Sequence, residues 1–255
     1  MDMSVFGLEP GTSARILIVG AATTSILALI TAVARRRHSY WWVSISFIIA
    51  GCAGLALGSY FAARIFTETV QSMSKTGGGI SSVYLGIWQA TQPILAAAWL
   101  AVVIALAATV FVLPRARKEL TSMAGARRPP AAIFASAAAL ALAVAIASTL
   151  LFRRAIAFVL WVITPPAHAA SVYQAIPSRL LIAATLSAGC FLLLIALLVV
   201  TVLLGRRSGP SPRLFAITVF ALVASLGFSA ALVANLNSFS NRCHKVALTG
   251  LMSSE

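Results

Sequence analysis

Carboxylates are the scarcest groups in this chain: Asp and Glu together fill five of its 255 positions. Asp2, Glu9 and Glu255 fall near the ends and Glu119 in a basic loop, leaving Glu68 as the one acid beside an apolar run. No carboxylate pair is available for proton transfer in catalysis, and no nucleophile–base pair or phosphate-cradling loop stands in for one. The three cysteines, Cys52, Cys190 and Cys243, show no CxxC or Cys/His spacing, and His38, His168 and His244 are scattered. Metal ligation needs such residues at defined intervals, so neither a metal nor any other cofactor is expected, and the chain reads as no enzyme. Charge of both signs is thin. Charged residues make up 9% of the sequence, whereas a soluble domain uses about a quarter of its residues that way.

What fills the space is hydrocarbon. Apolar residues occupy 60% of the positions, and the mean hydropathy is +0.98. A surface of this composition is built for lipid rather than water, so the bilayer is the first expected partner. A net charge of +14 would suggest nucleic acid in a soluble chain. Here the Lys and Arg sit in short clusters between apolar runs and build no basic face with stacking aromatics, which excludes nucleic-acid binding and fits topology signals.

A membrane-crossing helix needs about 20 apolar residues. Such runs occupy 14–34, 41–63, 87–113, 131–151, 180–204 and 214–236, predicting an all-α, polytopic membrane bundle of about six helices that forms one integral domain over 1–255. The stretch from Ala155 to Ile163 is too short to cross alone and is expected to extend the fourth helix past Arg153-Arg154, or to lie at the interface with Trp161, before Pro165-Pro166 stop it. Met1 to Ser13 carries Asp2 and Glu9 instead of a basic leader, so the first run is expected to be kept as a helix. One set of connections (35–37, 115–128 and 206–213) holds eleven Lys and Arg, the alternate set eight. The positive-inside rule then places the richer set in the cytoplasm and both termini outside.

A repeat runs at an offset of 89 residues: Ser82-Val83-Tyr84 recurs as Ser171-Val172-Tyr173, Ile87 as Ile176 and Arg64 as Arg153. The unit is a helical hairpin, at 41–118 and again at 131–207, both running the same way, so the repeat is parallel rather than inverted. In the first hairpin Gly51, Gly54 and Gly58 stand at i, i+3 and i+7 on one helix face, where small side chains let helices approach closely. The candidate polar pathway comprises Arg64 and Glu68, four apart and so also an ordinary helix ion pair, with Gln89, Thr91 and Gln92 at the start of the next helix. Nothing from Ile94 to Leu113 ionises.

This hairpin resembles the second and third transmembrane helices of the MotA/TolQ/ExbB family. The family's GLxGTVxG motif is matched in spacing by Gly51, Gly54 and Gly58, and its GIxEAL by Gly86-Ile87-Trp88-Gln89-Ala90-Thr91. The resemblance spans roughly 75 residues. It implies a bacterial inner-membrane subunit involved in ion transport, working beside a single-span partner or copies of itself. The family's polar threonine, glutamate and later threonine fall on Leu55, Gln89 and about Ile94, and its large cytoplasmic segment shrinks to the six residues 35–40. Those positions are the ones that would hydrate or relay a proton. The reading that results is a non-catalytic accessory subunit of a membrane complex. The alternatives are a proton- or ion-conducting channel or motor subunit, and a small-solute carrier.

Overall fold

Long uninterrupted apolar runs leave the backbone one way to satisfy its hydrogen bonds in lipid, which is within each segment as an α-helix. The computed structural model of the protein describes residues 10–37, 42–76, 80–122, 131–163, 170–205 and 212–252, and all of these except Trp42 are helical. The helices are α1 (Pro10–Arg37), α2 (Val43–Thr76), α3 (Ile80–Ala107), α4 (Leu113–Ser122), α5 (Ala131–Ile163), α6 (Ala170–Gly205) and α7 (Pro212–Met252), with a π-helical turn, Ala108–Val112, joining α3 to α4. Six stretches are long and apolar enough to cross a membrane: Ser13–Arg35, Val43–Gln71, Ser82–Lys118, Ile133–Trp161, Ile176–Gly205 and Phe215–Thr249. The chain is an integral, multi-pass, all-α membrane protein.

Each of the six runs read from the sequence falls on one of these stretches, three of them (41–63, 131–151 and 214–236) starting one or two residues earlier, and the helices outrun them. α2 passes residue 63 to Thr76, α5 carries on through Arg153-Arg154 to Ile163, and α7 passes residue 236 to Met252. Hydropathy ends a span where lipid ends. The helix continues because its backbone bonds are internal and water at the interface accepts its charged side chains. Pro114 likewise fails to end the third helix, which runs on to Ser122. A proline has no N–H for the carbonyl four residues back and crowds it. The widened π turn immediately before Pro114 opens the ladder at that point.

α2 is the shaft of the bundle. Residues 42–56 are buried without a break, enclosed chiefly by α3 and α6, with α5 and α1 on the remaining sides. α7 packs on the far face of α3. Two apolar clusters fill the interior. One, toward the basic loops, contains Trp42, Ile45, Ile49, Ala116, Phe134 and Leu198. The other, toward the hairpin ends, contains Phe66, Ile87, Phe152, Ile176, Leu180 and Cys243. Ile87 and Ile176, which the sequence repeat pairs, thus share one cluster. The two hairpins occupy different settings, since the apolar 18-residue heart of the α2 span is 83% buried and that of the α5 span 44%.

The glycines of α2 divide between two neighbours. A Cβ on Gly51 would rest 3.5 Å from the Ala101 Cβ of α3, and one on Gly58 would lie 2.9 Å from the Pro93 carbonyl oxygen of α3. A Cβ on Gly54 instead meets the Thr23 Oγ1 of α1 at 3.0 Å. At 100° per residue, i+7 returns almost to the direction of i while i+3 stands about 60° away, so this face is two adjacent seams.

Candidate functional site

The polar candidates gather at the hairpin end of the bundle, in two groups. The first joins α1 to α2. Arg15 Nη2 donates to Glu68 Oε2 at 2.6 Å, and Arg64 stands 4.0 Å from the other carboxylate oxygen. The helix ion pair expected between Arg64 and Glu68 is therefore present as the longer of two contacts. The nearer partner comes from 53 residues away because α1 runs antiparallel to α2 and brings its first turns beside the last turns of α2. With side chains 25% and 46% exposed, the Arg15–Glu68 pair is an interfacial clasp. A double-mutant cycle of Arg15→Ala and Glu68→Gln, read by thermal unfolding, is expected to give a coupling of about 0.5 kcal/mol that shrinks in high salt.

The second group joins α3 to α7. Gln92 Nε2 donates to Ser240 Oγ at 3.2 Å and toward the Trp88 carbonyl at 3.3 Å. The His244 ring lies on Trp88 with centroids 4.8 Å apart. Trp88 and Gln92 are four apart, and so are Ser240 and His244, so each pair forms one ridge of its helix and the ridges meet. Thr91 is buried, and its hydroxyl donates to the Trp88 carbonyl of its own helix at 2.7 Å. Gln89 is half-buried. Ser240 and His244 escape the sequence reading because the sixth apolar run ends at residue 236 and the helix continues past it to Met252. The spacing of four on each helix is the signal that could have shown them.

The depth of this layer decides what it can do. At 1.5 Å per residue, Gln92 lies about 34 Å along the helix from Arg115, and Glu68 about 37 Å from Val43. The hydrocarbon is about 30 Å thick, so both groups stand at the membrane–water interface. Beneath them the hydroxyls turn inward on their own helices: Ser59, Thr67, Thr109, Ser148 and Thr201 donate to carbonyls three or four residues back. Within the described residues, no Asp, Glu, Lys, Arg or His lies between Arg15 and Arg35, Val43 and Arg64, Gln92 and Arg115, Ala131 and Arg153, Arg179 and Gly205, or Arg213 and Arg242. Among the described residues the charges of each span lie near one end or both, never in its middle.

Cys52 and Cys243 are buried and Cys190 half-buried, all as free thiols. Cys243 packs in the apolar cluster while its neighbour His244 turns to Trp88, so these adjacent residues face different ways. Among the described residues no three of His, Cys, Asp and Glu cluster to hold a metal. Asp2, Glu9, His38, His168 and Glu255 fall outside the described residues. No protein-family model, curated protein or solved structure matches this chain.

Proposed function

We propose that this chain is a non-conducting, non-catalytic accessory subunit of a multi-protein complex in a bacterial inner membrane. In this reading it is a relative of MotA/TolQ/ExbB-type subunits that has kept the helical hairpin and lost the proton path. The observation that carries the reading is that no span carries a charged residue in its middle, the charges lying near one end or both. A proton or metal ion crossing hydrocarbon needs polar groups or water along its way, since bare transfer costs many kcal/mol. Here the hydroxyls of Ser59, Thr67, Thr109, Ser148 and Thr201 spend their protons on their own helices, and those of Ser44 and Ser187 are isolated, with no partner among the described residues. A partner's carboxylate would have to supply any path.

Two features support assembly with other helices. α1 leaves most of itself uncovered, with only 17% of the apolar 18-residue heart of its span buried. Gly20 on α1, Gly189 on α6 and Gly227 on α7 have open space where a Cβ would stand, and outward small residues let another helix come close in lipid. A second copy of the chain or a single-span subunit fits such a surface.

The test is proton flux. The purified chain in liposomes under an imposed pH gradient is expected to dissipate it no faster than empty vesicles. Rapid dissipation abolished by Gln89→Leu would restore the channel reading and sink this one.

A further inference from the structure

We propose that the cleft between α5 and α7 binds one anionic phospholipid from the bilayer, an acyl chain lying in the cleft and its phosphate held by Arg153. The cleft encloses about 290 Å³ and is floored by Thr91 and Ile94 of α3. That volume sits at the small end of ligand pockets, roughly 300–1,000 Å³, and admits part of a single chain. Its walls are apolar, with Leu150 and Ala157 on the α5 side and Leu232 and Phe239 on the α7 side, and two strongly polar side chains, Arg153 and Asn235, enter it from opposite walls.

Charge and depth select the occupant. Glu68, the only carboxylate known to be paired at this end, is taken by Arg15 and Arg64. Arg153 has neither an ion pair nor a hydrogen bond among the described residues. Arg153 is 22 residues from Ala131, and Asn235 is 22 from Arg213, so each stands about 33 Å from the opposite end of its helix. With hydrocarbon about 30 Å thick, both side chains lie where phosphate headgroups lie. The cleft continues down to Ile146 and Phe228, about 10 Å into the acyl region. Arg153 is exposed at this level, so a headgroup phosphate can reach it from the bilayer. A guanidinium offers a fork of donors matched to phosphate oxygens, and the Asn235 amide adds a neutral donor from the opposite wall. A zwitterionic lipid would present the same phosphate together with a cation of its own beside an already basic rim.

The experiment is native mass spectrometry of the full chain in mild detergent with added phosphatidylglycerol, phosphatidylcholine or sodium phosphate. One phosphatidylglycerol is expected to stay bound, at about tenfold higher occupancy than phosphatidylcholine, the loss matching one charge-assisted contact. Arg153→Gln is expected to reduce phosphatidylglycerol to the phosphatidylcholine level. Ala157→Trp fills the cleft without altering charge and is expected to remove both lipids. Arg154→Gln, whose side chain is not part of the cleft, is expected to bind as the unaltered chain does. Both lining positions are exposed, so neither change disturbs the core. Unchanged binding in Arg153→Gln or Ala157→Trp would overturn the site. Equal loss in Arg154→Gln would reduce it to diffuse surface charge, and full competition by inorganic phosphate would show a headgroup site with no place for a chain.

Discussion

Gly58→Leu is expected to cost about 3 kcal/mol or more of stability, against about 1 kcal/mol for Gly54→Leu, when both are unfolded thermally in the same detergent. The difference lies in what each new side chain meets. At Gly58 the first added carbon would come within 2.9 Å of the Pro93 carbonyl oxygen, 3.0 Å of the Ala97 Cβ and 3.2 Å of the Ile94 Cα. Two of those three are backbone atoms of α3. They move only if the whole helix moves, and α3 is pinned on its far side by α7. Pro93 sharpens the constraint, because it leaves the Gln89 carbonyl without its usual helical donor and already disturbs α3 at that turn. At Gly54 the contact is the side chain of Thr23, which belongs to the least buried helix of the bundle. α1 can shift outward into lipid at small cost. Equal losses at the two positions would mean that α1 is held as firmly as α3.

Trp42→Ala is expected to cost about 3 kcal/mol, the lower end for removing a buried indole. Trp42 is fully buried, and its ring lies so close to the last residue of α6 that a Cβ on Gly205 would stand 2.6 Å from its Cγ. The indole N–H has no hydrogen-bond partner, so the substitution breaks no hydrogen bond and the loss is one of packing. A second variant separates packing from any general weakness of this end. Gly205→Ala is expected to destabilise the unaltered chain by about 1–2 kcal/mol through overpacking, and to be nearly neutral once Trp42 is Ala, because the added methyl enters the space vacated. Additive losses would show that Trp42 and Gly205 are not in contact.

The membrane fold was legible because lipid imposes a length on every crossing, and six apolar runs met it. The order of burial was not legible. The α6 span is the most apolar, at a mean hydropathy of 2.8, yet its apolar 18-residue heart is 22% buried; the α2 span is the least apolar, at 1.8, and its heart is 83% buried. Lipid tails are as apolar as leucine, so hydropathy cannot tell a face turned to lipid from one turned to protein. Small size is the better signal, and the α2 glycines carried it. Which partner each glycine meets depends on where α1 and α3 stand, and no spacing within α2 states that. The same holds for Glu68. Its neighbour Arg64 could be read from the helical period, while Arg15 came beside it through the antiparallel course of α1. Within the polar group, Gln92 was placed by composition, but Ser240, which it meets, and His244, which meets Trp88, lie beyond residue 236, where the sixth run ends.

The burial of α2 on all sides also sets a condition on how the protein is made. Its neighbours α5 and α6 are synthesised after it, and at about 5–20 residues per second the ribosome completes them on the order of ten seconds later. During that interval the shaft of the bundle has lipid where protein will be. Over residues 43–58 its side chains are apolar or small, and the hydroxyls of Ser46 and Ser59 are already bonded to its own carbonyls, so it can wait there with those two groups satisfied. The apolar and small side chains that suit α2 to the centre are thus also what let it stand in lipid before its neighbours arrive.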